Sequence, residues 1–190
     1  MIFFISLILI IILHELSHFI VAKLCECNVS VVSIGFGKPL YSFEWKETRY
    51  NITPWLLGGY CKLGGELESS PHLNDFCNLS YSKKISIALA GITTNIIIGL
   101  ISLFLGKVFL NFYLFYFGYL SVGIGIMNGI PFIPCLDGGY VFYIPILTKI
   151  YGKEKGFKIF AKINKISFKF LMALNIACIP YVIYMLLKGL

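Results

Sequence analysis

Residues 1–24 are apolar enough to cross a bilayer, yet their middle reads His14-Glu15-Leu16-Ser17-His18. A helix of roughly 20 apolar residues spans the hydrocarbon core, and a carboxylate near its centre costs about 2.5–3.5 kcal/mol on insertion scales. Something must offset that cost, and a bound cation would. At 3.6 residues per turn, positions i and i+4 share a helix face, so His14 and His18 can direct imidazole nitrogens at one zinc ion. Glu15 then stands beside the metal. In hydrolytic zinc sites with this HExxH spacing the carboxylate is the general base, taking a proton from water that the metal acidifies to a pKa of about 7. Short motifs recur by chance, and a histidine on an apolar helix usually packs. Ionisable residues inside a membrane span are functional by default, which favours the metal site here.

Composition agrees with a membrane setting. Hydrophobic residues make up 58% of the chain and charged residues only 13%, with the apolar content in long blocks that a soluble core of this size does not need. The pattern predicts an α-helical integral membrane protein with about four transmembrane helices, at 1–24, 85–105, 112–133 and 168–187, in a single domain over 1–190. Residues 1–24 are expected to be a retained span. They lack the basic start and the small-residue cleavage site of a signal peptide.

The sixteen basic residues sort by segment. Seven lie between the first two spans, and seven more, Lys149, Lys153, Lys155, Lys158, Lys162, Lys165 and Lys169, surround the third connection. By the positive-inside rule both connections are cytoplasmic, so both termini lie outside and the chain is a multi-pass protein of the cell membrane. The net charge of +7 reports this topology and anionic lipid headgroups; it gives no reason to invoke nucleic acid.

Two histidines leave a catalytic zinc one protein ligand short, since such sites usually take three and keep the fourth position open. His72 lies in a polar loop. Asp137 is the better candidate, because it ends the segment Asn128-Gly-Ile-Pro131-Phe-Ile-Pro134-Cys-Leu-Asp137-Gly138-Gly139 at the close of the third span. The prolines break the helix and the glycines let the chain turn sharply beside another helix. Irregular backbone at that depth is tolerated only when buried in protein or lining a wet cavity. The competing account is a proline kink closed by an Asp-Gly turn.

Taken together, these motifs resemble the site-2 proteases, a family of intramembrane zinc metalloproteases. HELSH fits the family's HExxH, and Asn128, Pro131, Leu136, Asp137 and Gly138 fit its NxxP…LDG motif. Ala90-Gly91-Ile-Thr-Thr-Asn95 resembles its GxxxN motif, and Gly58-Gly59-Tyr60-Cys61-Lys62-Leu63-Gly64-Gly65-Glu66 resembles a glycine-rich, membrane-associated β element of bacterial members. The resemblance implies one Zn2+ per chain held by His14, His18 and Asp137, with Glu15 as the catalytic carboxylate. Asn95 and Asn128 would position the peptide or stabilise its oxyanion. Either asparagine could instead hydrogen-bond helices together, and Gly91 and Gly99 could be packing positions.

The implied reaction is hydrolysis of a peptide bond within or near the cytoplasmic end of a substrate's transmembrane segment. Its partners would be a single-pass membrane protein or a signal-peptide-like segment, as in regulated intramembrane proteolysis, signal-peptide remnant clearance or pheromone precursor processing. No nucleotide is implied. The loop over 106–111 is too short for the PDZ module that family members commonly carry, and with the fourth span placed at 168–187 no nucleotide-binding module is expected.

The first cytoplasmic connection carries β-branched and aromatic runs at 29–34, 40–45 and 48–53, the last two joined by a polar Lys46-Glu47 turn, which predicts two or three short strands in a small membrane-associated β-hairpin region. An exposed edge there could accept an extended substrate as an added strand, or the hairpin could merely shield the site. Lysines alternating with apolar residues over 152–167 predict an amphipathic helix on the inner leaflet. The six cysteines, at 25, 27, 61, 77, 135 and 178, are expected to be free thiols. Two other classes fit parts of the pattern: a catalytically silent protein that binds membrane helices, and a zinc transporter, which should show a series of polar sites along a path.

Overall fold

Helix α1 (Ile2–Leu24) contains neither glycine nor proline and runs unbroken through the HELSH motif. A computed structural model of the chain describes residues 2–66 and 70–187; the side chains of residues 2, 57, 175–176 and 178–187 lie outside the description, and with them the Cys178 thiol. Helix α1 ends with Lys23 in its last turn, where a cation suits the negative end of the helix dipole. Glu26 then takes a left-handed conformation (φ 61°) and turns the chain into a sheet.

Four strands follow: β1 (Val29–Phe36), β2 (Tyr41–Trp45), β3 (Thr48–Ile52) and β4 (Trp55–Leu63), ordered β2-β3-β1-β4. Strands β2 and β3 form a hairpin, and the predicted Lys46-Glu47 turn has positive φ at both residues (46° and 63°), the handedness that two-residue hairpin turns require. Strand β3 lies parallel to β1, and β4 lies antiparallel on the other side of β1. Among the described residues, one edge of β4 therefore has no strand beside it. The three expected strands are present with ends shifted by up to two residues. Propensity alone missed β4 as a strand because Gly58 and Gly59 weaken the signal, although the resemblance over 58–66 pointed to it.

A short 3-10 turn (Phe76–Asn78) leads into α2 (Tyr81–Val108), α3 (Phe112–Asn128), α4 (Asp137–Tyr151) and α5 (Lys153–Leu187). Three expectations need correction here. The third helix stops at Asn128 rather than 133, because Gly129 caps it and Pro131 cannot continue it. Asp137 does not close that helix; it opens α4, which the sequence reading did not anticipate. Finally, the amphipathic segment and the fourth span are parts of one 35-residue helix, α5. Residues 157–179 contain no glycine or proline, so the change in polarity there has nothing to break the backbone. The segments Phe3–Leu24 and Tyr81–Val108 are long and apolar enough to cross a membrane, while Phe112–Asn128 is apolar but shorter.

Helix faces are sorted opposite to those of a water-soluble protein. On α1 the buried side includes Ser6, His14, Ser17 and His18, while Leu9, Leu16 and Ile20 face outward. On α2, Gly91, Asn95, Gly99 and Ser102 are buried, and Ile97, Leu100, Ile101 and Phe104 are exposed. Three of the inner hydroxyls donate to main-chain carbonyls: Ser17 to His14 O (2.6 Å), Ser102 to Leu114 O (2.8 Å) and Ser121 to Asn95 O (2.8 Å). Small and hydroxyl residues let helices approach closely where the surroundings are hydrocarbon. An apolar cluster of Ala22, Cys27, Val29, Leu63, Phe76, Ile87, Ile144, Phe157 and Phe160 joins the sheet to one end of the helices. Burial there pushes the Cys27 thiol up to about 12, so it packs as a neutral side chain.

Candidate metal centre

The i, i+4 spacing on α1 places the two imidazoles as helical geometry requires. His14 Nε2 and His18 Nε2 lie 3.2 Å apart, and Asp137 Oδ2, from the first turn of α4, lies 3.0 Å from His14 Nε2 and 3.3 Å from His18 Nε2. Ligand atoms held tetrahedrally about 2.0–2.1 Å from a zinc ion stand about 3.3 Å from one another. The three separations fit the edges of one such tetrahedron. Asp137 Oδ2 is buried and accepts no hydrogen bond despite its two neighbours, an arrangement that a cation at the centre would satisfy. Among the described residues this trio is the one histidine, cysteine and carboxylate group able to converge on a metal. His72 is exposed on its loop.

Each imidazole is fixed from behind. His18 Nδ1 lies 2.7 Å from Ile87 O, which can accept only if Nδ1 carries the proton, leaving Nε2 free to ligate. His14 Nδ1 lies 3.1 Å from Asn95 Nδ2; with His14 Nε2 on a metal, Nδ1 carries the proton and donates, and the Asn95 amide would be turned to present Oδ1 instead. Gly91, one turn before Asn95, makes room for both rings. A Cβ there would sit well inside contact distance of His14 Cε1 and His18 Nε2. The residues of the GxxxN motif therefore share one face of α2, the glycine admitting the histidine pair and the asparagine bonding to it.

The centre opens into a cavity of about 720 Å³ whose lining includes Glu15, Gly59, Asn128 and Asp137, together with Phe36 and Phe168. Glu15 meets β4 closely, since a Cβ on Gly59 would lie 2.8 Å from Glu15 Cγ. Asn128 lines the cavity, whereas Asn95 is fully buried behind His14. The two asparagines, grouped together in the sequence reading, thus occupy different places. Cys61 and Cys135 also line the wall, and burial raises the Cys61 thiol well above its usual range, which keeps it protonated.

Sequence reasoning passed over Glu66, Tyr140 and Asn164, which all reach the cavity. Tyr140 follows Asp137 by one helical turn, a spacing that could have been noticed. Asn164 stands as an isolated amide among the lysines and apolar residues of α5.

Residues 2–112 match Peptidase family M50, and the chain belongs to that family. This matched segment holds HELSH and the GxxxN motif; Asp137 lies beyond it. Relatives whose names provisionally call them zinc metalloproteases include one from Borreliella burgdorferi, 40% identical over 106 residues, and one from Campylobacter jejuni, 42% identical over 90 residues. These alignments cover 50% and 45% of this chain but 24% of each relative, so the chain spans about a quarter of the curated relatives it matches. The fold is similar to that of the site-2 protease from Methanocaldococcus jannaschii (TM-score 0.53, 23% identity), covering 99% of this chain and 68% of that one.

Proposed function

We propose that the chain is an intramembrane zinc metalloprotease that hydrolyses a peptide bond near the cytoplasmic end of a substrate transmembrane segment. The observation that carries this reading is the convergence of His14, His18 and Asp137 beside an unengaged Glu15 in a cavity that β4 walls. His14, His18 and Asp137 would hold the metal. When bound, zinc would supply Lewis acidity, polarising the peptide carbonyl and making water nucleophilic at neutral pH. Glu15 accepts the proton from the attacking water and delivers it to the departing amine. Asn95 and Ile87 O keep the imidazoles turned inward. Asn128 donates its amide to the peptide carbonyl from the cavity wall.

A protease must also present an extended backbone to these groups. Strand β4 runs close to Glu15 and has no described strand on the side away from β1, and a substrate segment unwound from its helix would add there as a further strand. Such a substrate is a single-pass membrane protein or a signal-peptide-like segment. The described residues would work as one domain, since the site draws ligands from α1 and α4 and its walls from β4 and α5.

Chelation of the purified protein should abolish cleavage of a transmembrane peptide, and added zinc should restore it. Asp137→Ala should lose the metal while His72→Ala retains one zinc per chain by metal analysis. Full occupancy in Asp137→Ala would remove that carboxylate from the ligand set.

The lysine distribution further supports a multi-pass chain with both termini outside and residues 29–84 and 149–165 in the cytoplasm. A cysteine placed at Lys158 should be protected from a membrane-impermeant thiol reagent in intact cells and should react after lysis. Reaction in intact cells would reverse this topology.

A further inference from the structure

Three elements meet around the turn that carries Asp137, and their polar contacts fall on either side of it. On α5, Asn164 donates from Nδ2 to Pro134 O (3.3 Å) and to Tyr140 Oη (3.2 Å). These acceptors lie three residues before and three residues after Asp137. Ser167, one turn further along α5, donates to Cys135 Sγ (3.3 Å). The Tyr140 hydroxyl in turn donates to Glu66 Oε1 (2.5 Å), and Glu66 Oε2 accepts the Leu63 N–H at the end of β4 (3.2 Å). The order is β4, Glu66, Tyr140, Asn164, Pro134, closing a chain of hydrogen bonds around the Asp137 turn.

Neither Glu66 nor Asn164 belongs to the metal-ligand trio, and a carboxylate lining an apolar wall is costly unless it holds something. The Asp137 turn is the part of the site with the least regular backbone: Pro131 and Pro134 remove donors, and α4 begins only at Asp137 itself. A ligand in such a place needs support from side chains, because helical hydrogen bonds do not define the chain before it. We propose that Glu66, Tyr140 and Asn164 are positioning residues that fix the Asp137 carboxylate for metal binding, coupling its geometry to β4 and to α5. This rests on the reading of Asp137 as a metal ligand. Partners bonded directly to metal ligands typically contribute 10- to 100-fold in affinity, and these three act on the backbone on either side of the ligand, which puts their effect at the lower end of that range.

The test uses the full chain in detergent, stripped of metal and titrated with cobalt(II), whose visible ligand-field spectrum reports the coordination geometry. Tyr140→Phe removes one oxygen and leaves the ring on Phe160 and Phe76. Asn164→Asp keeps the size but loses the donor. Each should weaken cobalt binding about tenfold or more and alter the spectrum, with circular dichroism unchanged. Glu66→Ala should behave like Tyr140→Phe, and Glu66→Gln, which can still accept from Tyr140, should recover most of the affinity. Because the two share the Tyr140–Glu66 hydrogen bond, while Glu66 also accepts from Leu63 and Tyr140 from Asn164, the Glu66→Ala, Tyr140→Phe double variant should lose less affinity than the two single losses combined. Wild-type affinity and spectrum in Tyr140→Phe and Asn164→Asp, with Asp137→Ala losing cobalt, would overturn the positioning role and leave the metal-site reading intact. An unchanged cobalt spectrum in Asp137→Ala would overturn both.

Discussion

Glu15→Gln protein should keep its zinc and lose roughly 10²-fold or more of its peptide hydrolysis, the size of effect expected when a general base is removed. The substitution preserves shape and leaves His14, His18 and Asp137 untouched, so metal content should stay at one per chain. What disappears is the ability to accept a proton beside the metal. Substrate capture should persist or rise, because the cavity and the β4 edge are unaltered. A protein that merely binds membrane helices has no turnover to lose, and a transporter would register the change in flux without any cleavage product. Native zinc content with near-native cleavage of a transmembrane peptide would exclude Glu15 as the base.

The second large effect is expected at a residue with no side chain. Gly91→Ala puts a methyl group into the space occupied by His14 Cε1 and His18 Nε2, and neither ring can retreat easily. His18 is tied to Ile87 O on the same helix as Gly91, and His14 to Asn95 one turn on. The rings must rotate or α1 must move from α2, and either spoils a ligand geometry whose tolerance is a few tenths of an ångström. Metal binding should fall by about two orders of magnitude, with activity falling in parallel. Gly99→Ala is the control. Its methyl group would strike Val122 and the backbone of α3 instead, so it should lower thermal stability while leaving metal affinity largely intact. Equal metal loss in the two variants would mean that helix separation, rather than the histidine pocket, explains Gly91.

How much of this was legible in the sequence depends on the range of each interaction. His14, Glu15 and His18 were readable because helical periodicity alone places them together. Asp137 was reached by counting ligands, an argument from chemistry that needs no coordinates. The place of Asn95 behind His14 was not readable, since it depends on how α1 crosses α2, and no local pattern encodes that crossing. The β2–β3 turn was visible from its polar pair, whereas β4 was obscured by Gly58 and Gly59, which make room for Phe36 and for Glu15 respectively. Helix α4 was missed for a related reason: Pro131, Pro134, Gly138 and Gly139 read as a loop, and Pro145 lies inside the helix. The same residues that place the carboxylate hid the element that carries it. The chain of contacts from Glu66 through Tyr140 to Asn164 joins three separate segments and leaves no trace in any one of them.

The reversed sorting of helix faces has a consequence for how such a chain can change over generations. In a water-soluble protein, drift is fastest on the polar outside and slowest in an oily interior. Here the outside asks only for greasiness: Leu16, Ile20, Ile97 and Phe104 can exchange among bulky apolar types with little penalty, while a charge there meets lipid. The inside asks for smallness and for a particular hydrogen-bonding atom at Ser17, Gly91, Asn95 and Ser121. Substitution matrices built from soluble proteins treat Ser-to-Ala as mild and Leu-to-Phe as moderate; at these positions the order of severity should invert.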